Sequence, residues 1–553
     1  MERLSGLDAS FLYLETPTLH MHVAMTMVFD PSTVPGGYSF PRMKELMAER
    51  LPCAPVFRRR LLEVPFRLGH PVWVDDPDFD LDYHFRLAAV PRPGGLRELA
   101  DLAGDIAGHQ LDRSRPLWEM WIVEGLEHGH IGFIAKMHHS TVDGVSGAEL
   151  LSVLFDLEPA RAATPDGAST PGEALTQGGA SVTDETLTPA GASAPAGASA
   201  PAGASAPAGA AAHSASAGAG PGDPLAGERI PSGLELMTQA MLARSMRPLE
   251  VTRDVIRTGY RVFNVRQIRL GSGRDSTRAR AALPLSAPRV SFNTALTRRR
   301  SVALTAVGLD DAKRLKNATG TTVNDVVLAT CTGALRSFLL EGDELPDRPL
   351  VAVVPVSVGP DAGSTRGSNR VSSMFVQLPV DLHRPLDRLM AIHEGTKGAK
   401  EEHNALGADL LQNWAEHSTP NFFVSAARFY SRMRLADRHR PIANLVISNV
   451  HGPDVPLYLG GAELRAGFPL GPVMDGMGLN ITIMSYLGVL YWGINACPEA
   501  IPKLWNLTAA IPASLDELLD ATGLAPARYR SAAAAAAVRT SGIEVDEVED
   551  PGG

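Results

Sequence analysis

A long stretch with few large apolar side chains divides the chain and limits what it can fold into. From about Glu158 to Asp223 the sequence consists mostly of Ala, Gly, Pro, Ser and Thr. Within it, a hexapeptide begins at Pro189 and begins again at Pro195 and Pro201. Such a segment cannot bury enough apolar surface to offset the entropy it would lose on ordering. The sequence therefore predicts a disordered linker between two folded regions.

Both regions beside the linker mix strand and helix patterns. Continuous or alternating apolar runs are typical of strands, and apolar residues three and four positions apart are typical of helices. Because both kinds of pattern occur in each half, the predicted fold class is α/β rather than all-α or all-β. The predicted strands are residues 21–29, 121–124, 131–137, 350–358 and 371–380, and the predicted helices are residues 40–50, 96–110, 310–319 and 322–340.

Length and composition together predict five consecutive segments. A chain of 553 residues exceeds the usual length of one compact domain, so two folded domains are expected. The predicted segments are an N-terminal domain (1–158), the linker (159–229), a basic helical crossover (230–285), a C-terminal domain (286–530) and a disordered tail (531–553).

One uncharged stretch near the C-terminus resembles a membrane span in its length. No charged residue occurs between Asp475 and Glu499, but glycines, asparagines and a proline interrupt the stretch. Leu487 and Gly488 separate two runs with strand character, residues 481–486 and 489–494. We therefore predict a buried β-hairpin rather than a transmembrane helix.

Charge and cysteine content exclude several classes of protein. The formal net charge of −10 and the pI near 5.9 argue against a nucleic-acid-binding protein, which needs a basic surface. Cys53, Cys331 and Cys497 are far apart and lack closely spaced histidines, so neither a disulfide framework nor a zinc site is expected. No secretory signal is predicted at the N-terminus. We expect a reduced, cytoplasmic compartment.

An arginine-rich segment follows the linker. Between Arg244 and Arg300 there are fourteen arginines and three acids, which gives a net charge of +11. Arg253, Arg257 and Arg261 are four residues apart and would share one helical face. This pattern fits either a helix on an anionic membrane surface or a solvated connection between domains, and the sequence does not choose between them.

Two adjacent histidines are the leading candidates for chemistry. An imidazole, with an unperturbed pKa of about 6.5, can remove a hydroxyl proton near neutral pH. His138 and His139 follow the predicted strand at 131–137, and they would face opposite sides if that strand continued through them. Asp143 can cap or stiffen the next turn, and Gly144 permits close backbone approach. From spacing alone, packing or loop roles for the histidines stay open.

Several segments, taken together, resemble one bacterial enzyme family. Residues 137–147 are similar to the HHxxxDG motif of the CoA-dependent acyltransferase superfamily, and in detail to that of the bacterial wax ester synthase/diacylglycerol acyltransferase family. The similarity runs from about Leu4 to Gly523, excluding the linker. The other matching segments are residues 4–11, 116–119, 323–329, 448–453, 478–482 and 485–486.

This resemblance implies a fold and a mechanism. It implies two chloramphenicol-acetyltransferase-like domains with an active-site tunnel at their interface, which acyl-CoA and the alcohol enter from opposite sides. His139 would be the general base, His138 would shape the pocket, and Asp143 would be chiefly structural. Transfer would be direct, without an acyl-enzyme, and the chain indeed lacks a GxSxG nucleophile elbow.

The resemblance also points to residues that would bind substrates. Packing is favoured over direct contact for Trp118, whereas Asn324 could either pack or donate a hydrogen bond to a developing oxyanion. A cationic patch for the CoA phosphates would come from Arg298, Arg299 and Arg300, or from Lys313, Arg314 and Lys316. The candidate substrate-binding residues are Trp118, Asn324, Asp325, Ser448, Asn449 and Asn480.

The expected function is transfer of a long-chain acyl group from acyl-CoA to the hydroxyl of diacylglycerol, which gives triacylglycerol for lipid storage. Acyl-CoA would be a co-substrate, with no tightly bound cofactor, no metal and no nucleic-acid partner. Alternatives are a wax ester synthase that uses a long-chain alcohol, a condensation-domain-like enzyme that uses carrier-bound thioesters, and a non-catalytic lipid scaffold. A cytoplasmic protein, peripheral on the inner face of the membrane or on lipid droplets, is expected.

Overall fold

The computed structural model describes residues 2–142, 153–159, 232, 234–238, 287–357, 371–406 and 420–526. Asp143, Gly144, most of the predicted linker, nearly all of the basic crossover with its three spaced arginines, and the predicted tail lie outside these residues. The predictions made for those parts therefore remain predictions.

Fifteen strands are present among the described residues, and most belong to two six-stranded sheets. The strands are β1 Glu2–Arg3, β2 His22–Asp30, β3 Arg59–Leu62, β4 Val72–Asp75, β5 Phe85–Ala89, β6 Trp118–Glu124, β7 Ile131–His138, β8 Ser301–Gly308, β9 Leu350–Ser357, β10 Val371–Leu378, β11 Leu445–Val450, β12 Tyr458–Leu459, β13 Ala462–Leu470, β14 Leu479–Tyr486 and β15 Val489–Ala496.

The first sheet has the order β12-β13-β2-β7-β6-β5, and the second has the order β10-β9-β11-β14-β15-β8. A small third sheet has the order β1-β4-β3. Parallel and antiparallel pairs are mixed within both large sheets, because β5 pairs parallel to β6 and β11 pairs parallel to both β9 and β14.

Helices cover these sheets. The α-helices are α1 Gly6–Leu14, α2 Phe40–Arg50, α3 Leu81–His84, α4 Leu96–Ala107, α5 His139–Val142, α6 Leu309–Thr319, α7 Val323–Glu341, α8 Pro385–Leu406, α9 Pro420–Arg432 and α10 Leu504–Ala521. Two sheets flanked by helices confirm the predicted α/β class. The helix predicted at 40–50 has those bounds, and the helix predicted at 322–340 begins one residue later, because Thr322 caps it.

The predicted hairpin is confirmed. β14 and β15 pair antiparallel from Leu479–Ala496 to Tyr486–Val489 and are buried along their whole length. Leu487 and Gly488 form the turn, and both have positive φ, 45° and 79°. A two-residue turn with positive φ at both positions matches the twist of the strands it joins.

One strand ties the two halves of the chain together. β13 comes from the C-terminal half but pairs antiparallel with β2 in the first sheet. A side chain on Gly493 of β15 would begin only 1.9 Å from the carbonyl oxygen of Pro469, so the backbones of β15 and β13 touch. The predicted domain boundaries remain predictions, but they contain nothing that anticipates this exchanged strand.

Helix α7 is long and apolar enough to cross a membrane by length and composition. Two thirds of its apolar window is buried inside the protein, and it packs against α10 in the core of the second half. These contacts identify α7 as a core helix. The same core receives Leu19 and Met21 from the N-terminal half, so the residues that lead into β2 lie where the halves meet.

Candidate active site

The two motif histidines lie where a strand becomes a helix. His138 is the last residue of β7 and is opposite His22 of β2, whereas His139 is the first residue of α5. The backbone N–H of His139 donates to the carbonyl oxygen of Met21 at 2.8 Å. The strand therefore does not continue through both residues, and the change of backbone direction, rather than strand alternation, separates their side chains.

His138 fastens the turn that carries His139. Its side chain is buried, and its Nδ1 accepts hydrogen bonds from the Ser140 N–H at 3.1 Å and the Ser140 Oγ at 2.7 Å. The hydroxyl of Thr141 donates to the His138 carbonyl oxygen at 2.6 Å. Both the side chain and the backbone of His138 thus hold the first residues of α5.

His138 is a neutral imidazole at physiological pH. Burial lowers its pKa well below the usual value, and the nearby charges of Arg113 and His139 lower it further. Because its Nδ1 accepts the bond from a backbone N–H, the proton of the neutral ring belongs on Nε2. This ring is therefore a fixed hydrogen-bonding group of the turn.

His139 has a different environment. It is half-buried, and its ring stacks on Phe11 of α1, with ring centroids 4.2 Å apart and an interplanar angle of 27°. Phe11 also packs against the core of the C-terminal half. His139 therefore lies at the junction of the two halves, where the side chain is accessible and its ring orientation is held by an aromatic neighbour.

The local sequence explains why α1 can hold Phe11 there. Ser5 caps the helix, since its Oγ accepts the Asp8 N–H at 3.1 Å and donates to the Asp8 carboxylate at 2.6 Å. Helix α1 then packs against α5 on one side and α9 on another. The family-like segment at residues 4–11 thus has a physical role, because it starts the helix that carries Phe11.

An ion pair between the buried Glu15 and the half-buried Arg113 lies behind His138. Glu15 accepts hydrogen bonds from Nη2 and Nε of Arg113 at 2.6 and 3.0 Å, and its other oxygen is 3.9 Å from Nε2 of His138. Burial raises the pKa of Glu15, and the Arg113 guanidinium opposes that rise. The charged guanidinium and the Nε2 proton of His138 both favour a carboxylate at this position.

Further buried ionisable groups surround the end of β7. Lys136 is fully buried, pairs with Glu119 at 3.1 Å, and donates to two backbone carbonyls at 3.1 and 3.2 Å. Burial, more than any neighbour, lowers the pKa of His20 to about 4 and that of His22 well below its usual value. The histidine turn therefore rests on a layer of polar groups inside the first sheet.

Asp325 is a structural residue in the second half. Thr322 and Asp325 exchange two hydrogen bonds at 3.0 and 3.1 Å that cap α7. The buried Asp325 carboxylate also accepts from Nδ1 of His393 at 2.7 Å and from Oγ1 of Thr396 at 2.8 Å. Burial alone would raise the pKa of Asp325, but these hydrogen bonds outweigh it and lower the pKa.

Asn324 is held beside the end of β11. It is half-buried, and its Oδ1 accepts from Nδ2 of the exposed Asn449 at 3.4 Å. Ser448 is half-buried on the same strand. Nearby along the chain, His451 is exposed and its Nδ1 is 3.2 Å from Oγ of Ser485. The structure thus brings Asn324 and Asn449 together, in contrast to the enclosed Asp325.

Asn480 and Trp118 are enclosed by protein. Asn480 is buried, donates to the Pro472 carbonyl at 2.9 Å and accepts from Thr482 at 2.7 Å. Trp118 is buried, donates its Nε1–H to the Phe57 carbonyl at 2.8 Å and stacks on His84 at 4.6 Å. Each has the environment of a packing residue, as the sequence favoured for Trp118.

The three consecutive arginines separate into two environments. Arg298 and Arg299 are exposed, and Arg299 is 3.5 Å from Glu499. Arg300 is buried and donates to the carbonyl oxygens of Thr297, Arg299 and Thr18, each within 2.8 Å. Arg300 thus joins the two halves of the chain, and of the three only Arg298 and Arg299 remain accessible to a phosphate.

Comparison with known proteins assigns the family. One family model, described as the wax ester synthase/diacylglycerol acyltransferase catalytic domain, matches residues 4–327, and a WS/DGAT C-terminal domain model matches residues 367–519. The chain belongs to the wax ester synthase/diacylglycerol acyltransferase family. It is an acyltransferase with the mixed α/β, two-domain fold that the sequence indicated.

Individual relatives agree with this assignment. Two Mycobacterium tuberculosis proteins, provisionally named diacylglycerol O-acyltransferases, are 37% and 38% identical to this acyltransferase over 521 residues, which cover 94% of this chain and 90% of theirs. The solved structure of the wax ester synthase/diacylglycerol acyltransferase from Marinobacter aquaeolei VT8 matches with a TM-score of 0.59 and 26% identity. That match covers 95% of this chain and 100% of the other.

Sequence reasoning missed several residues that build this site. Phe11 lay within a matched segment but was given no role, and Glu15, Arg113 and Lys136 were not singled out. Arg113 is 98 positions from Glu15, and Lys136 is 17 from Glu119, so no local spacing reveals either pair. A charged residue inside an otherwise apolar strand, as Lys136 is in β7, is the one signal that would have indicated a buried partner.

Proposed function

We propose that this acyltransferase moves a long-chain acyl group from acyl-CoA to the hydroxyl of diacylglycerol and forms triacylglycerol, with His139 as the general base. The contrast between the two histidines carries the proposal. His139 is half-buried at the junction of the halves, whereas His138 is enclosed and hydrogen-bonded to the turn. The names of the two Mycobacterium tuberculosis relatives support diacylglycerol as the acceptor.

In this mechanism His139 takes the proton of the acceptor hydroxyl as its oxygen attacks the thioester carbonyl. The carbon–sulfur bond then breaks, and the protonated His139 gives its proton to the departing CoA sulfur. Proton and acyl group are thus both accounted for without an acyl-enzyme. Acyl-CoA is the co-substrate, and Arg298 and Arg299 are the accessible members of the cationic patch expected for its phosphates.

His138 is a positioning residue in this proposal. Its ring accepts both the N–H and the hydroxyl of Ser140, so it fixes the first turn of α5 and with it the backbone of His139. Asn324, whose oxygen accepts from Asn449, keeps an amide NH₂ able to donate to the developing oxyanion. Asp143 and Gly144 keep the supporting roles that the sequence indicated.

A wax ester synthase is the second candidate. The family description and the Marinobacter aquaeolei VT8 protein carry both activities in their names. A long-chain alcohol presents the same reacting hydroxyl as diacylglycerol and differs in the bulk around it, so the same histidine chemistry serves either acceptor. For either acceptor we propose a cytoplasmic enzyme, peripheral on the inner face of the membrane or on lipid droplets, where these apolar substrates dissolve.

Direct competition between the acceptors tests the proposal. The purified protein would receive palmitoyl-CoA with equimolar diacylglycerol and hexadecanol, and thin-layer chromatography would separate triacylglycerol from wax ester. Triacylglycerol as the main product is expected. Wax ester as the main product would replace the first candidate by the second, and no CoA release with either acceptor would reject both.

A further inference from the structure

Helix α9 and the loop at residues 65–67 expose large apolar side chains. Phe66 is 80% exposed, and Phe429 and Met433 are 60% and 40% exposed. Arg428 and Arg432 are exposed on the same helix. We call these five residues the α9 surface. Isolated exposed apolar residues are ordinary on proteins, but two exposed phenylalanines among arginines form an unusual combination.

The loop at residues 65–67 contacts the first turn of helix α9. The Asn421 side chain, in the first turn of α9, donates to the carbonyl oxygen of Phe66 at 3.1 Å and so joins the loop to the helix. Phe429 and Met433 are four residues apart and therefore share one side of the helical axis. Val424, on another side of the helix, is buried against α1. One side of helix α9 thus packs against α1, and the opposite side is exposed to solvent.

The backbone at Phe66 presents its ring to solvent at a conformational cost. Phe66 and Arg67 have φ of 57° and 53°, in the left-handed region that bulky side chains rarely adopt. The exposed ring of Phe66 gains little packing within the protein in return. Backbone strain of this kind tends to occur at functional sites, which supports a role for the ring outside the folded chain.

The charge around the α9 surface is opposite to that of the whole protein. From residue 428 to residue 440 the chain contains five arginines and one acid, Asp437, for a net charge of +4, although the full chain carries −10. All five arginines are exposed. A second copy would bring the same positive charge to this place, so self-association through it is disfavoured. An anionic surface is complementary to it.

A cavity lies beside this surface. A space of about 240 Å³ is lined by Arg67 from the loop, Val424 and Arg428 from α9, and the Glu15–Arg113 pair. The same Glu15 is 3.9 Å from His138. Arg428 of the α9 surface thus lines the same cavity as Glu15, which is next to the histidine turn.

We propose that the α9 surface docks the enzyme on anionic lipid bilayers. Phe66, Phe429 and Met433 enter the headgroup boundary, and the arginines contact the lipid phosphates. This docking places the cavity against the lipid phase that dissolves diacylglycerol. The assignment of that role rests on the proposed function, whereas docking itself is a property of the surface.

Vesicle sedimentation tests the docking with the full-length protein. The wild type, a Phe66→Ser/Phe429→Ser variant and a Leu87→Ser/Leu340→Ser control would be mixed with phosphatidylcholine vesicles with and without phosphatidylglycerol. Leu87 and Leu340 are 46% and 60% exposed and lie on other elements. We expect binding of the wild type and the control to require phosphatidylglycerol, and each lost phenylalanine to weaken binding roughly tenfold.

Acyl transfer measured in parallel separates docking from catalysis. Each protein would receive palmitoyl-CoA with either vesicle-borne diacylglycerol or dissolved hexan-1-ol. Loss of transfer only to the vesicle-borne acceptor, in the phenylalanine variant alone, is expected. Equal vesicle binding by variant and wild type, or a phenylalanine-dependent dimer in sedimentation velocity without lipid, would overturn the docking. A wild type inactive on both acceptors would reject the proposed function and leave the sedimentation result to decide the docking.

Discussion

The start of α5 and the start of α7 are each held by a buried polar side chain, but the side chains differ in their chemistry. A pair of adjacent polar residues lies at each start, His138-His139 in one half and Asn324-Asp325 in the other. In each pair one residue is buried and binds the backbone of the turn, as His138 does for Ser140 and Asp325 does for Thr322. The other residue is half-buried. The comparison teaches that adjacent motif residues can divide into one that fixes a turn and one that is left accessible.

The two turns differ in their charge. The buried histidine is neutral because burial lowers its pKa, whereas the buried aspartate stays ionised because three neighbouring groups donate hydrogen bonds to it. A neutral imidazole next to His139 adds no charge that would disfavour protonation of His139 during the proposed transfer. The Asp325 carboxylate, by contrast, binds α8 to α7 through His393 and Thr396.

Replacing the accessible histidine should have the largest effect. His139→Ala removes the proposed base, so kcat is expected to fall by about 10²–10⁴-fold, the usual contribution of general-base catalysis. CoA thiol release from palmitoyl-CoA and diacylglycerol measures it, and urea unfolding of the same sample establishes that the variant is folded. A wild-type rate in the folded variant would break the comparison, because the accessible residue would then have no catalytic role.

Replacing the buried aspartate should affect stability more than activity. Asp325→Ala removes the α7 cap and leaves the hydrogen-bond donors of Thr322, His393 and Thr396 without an acceptor. The free energy of unfolding should therefore fall by about 2–4 kcal/mol. Urea denaturation measures it. Asp310→Ala, at an exposed position in the first turn of α6, is the matched control and should change stability little. If Asp325→Ala were as stable as this control, the structural role of Asp325 would be wrong.

The positioning role of His138 predicts a smaller loss of kcat than that of His139→Ala, and a different substitution at the same position should restore activity. His138→Ala should lower kcat roughly tenfold, which corresponds to about 1.4 kcal/mol, with KM nearly unchanged. In His138→Asn the amide oxygen can replace Nδ1 as acceptor of the Ser140 N–H, so activity should return toward the wild-type value. Steady-state kinetics of both variants test this. Equal losses in the two would mean that the hydrogen bond to Ser140 is not what His138 contributes.

Lowering the pH should affect the region around His20, near the histidine turn, and not the Asp325 turn at the start of α7. His20 has a folded-state pKa of about 4, below its unfolded value near 6.5, so protonation favours unfolding. Its contribution is complete above pH 6.5 and is lost as the pH falls toward 4. Between pH 7 and 5.5 this histidine alone should lower the free energy of unfolding by about 1 kcal/mol. The lowered pKa of Asp325 keeps that carboxylate charged throughout this range.

Urea unfolding at pH 7 and pH 5.5 measures this difference. His20→Gln should show a smaller loss of stability than the wild type between the two pH values, and His109→Gln, at an exposed position, should match the wild type. If His20→Gln lost as much stability as the wild type between the two pH values, groups other than His20 would cause the loss.

Some of the site could be predicted from local sequence. The apolar run before His138 and His139 predicted β7 to within one residue, whereas the catalytic roles expected for the two histidines stay predictions. Trp118 was expected to pack, and it does. The strand could be predicted because side-chain periodicity acts over a few neighbouring residues.

Other features depend on residues that are distant in sequence. The patch of three arginines was assigned one role, but Arg300 bonds to Thr18, 282 positions away. The ion pair of Glu15 with Arg113, and the stacking of Phe11 on His139, likewise join separate elements. No local pattern specifies which buried charge finds which partner, because a partner is selected by the packing of whole elements.

By itself the sequence determined that this chain has two α/β halves, a buried hairpin at its C-terminal end and a histidine motif after a strand, since each follows from residue types within a short window. Only the tertiary structure decided that β13 joins the first sheet, that Phe11 lies on His139 and that Arg300 belongs to the junction. Those outcomes depend on how much apolar surface the two halves bury against each other, and that quantity belongs to the folded chain as a whole.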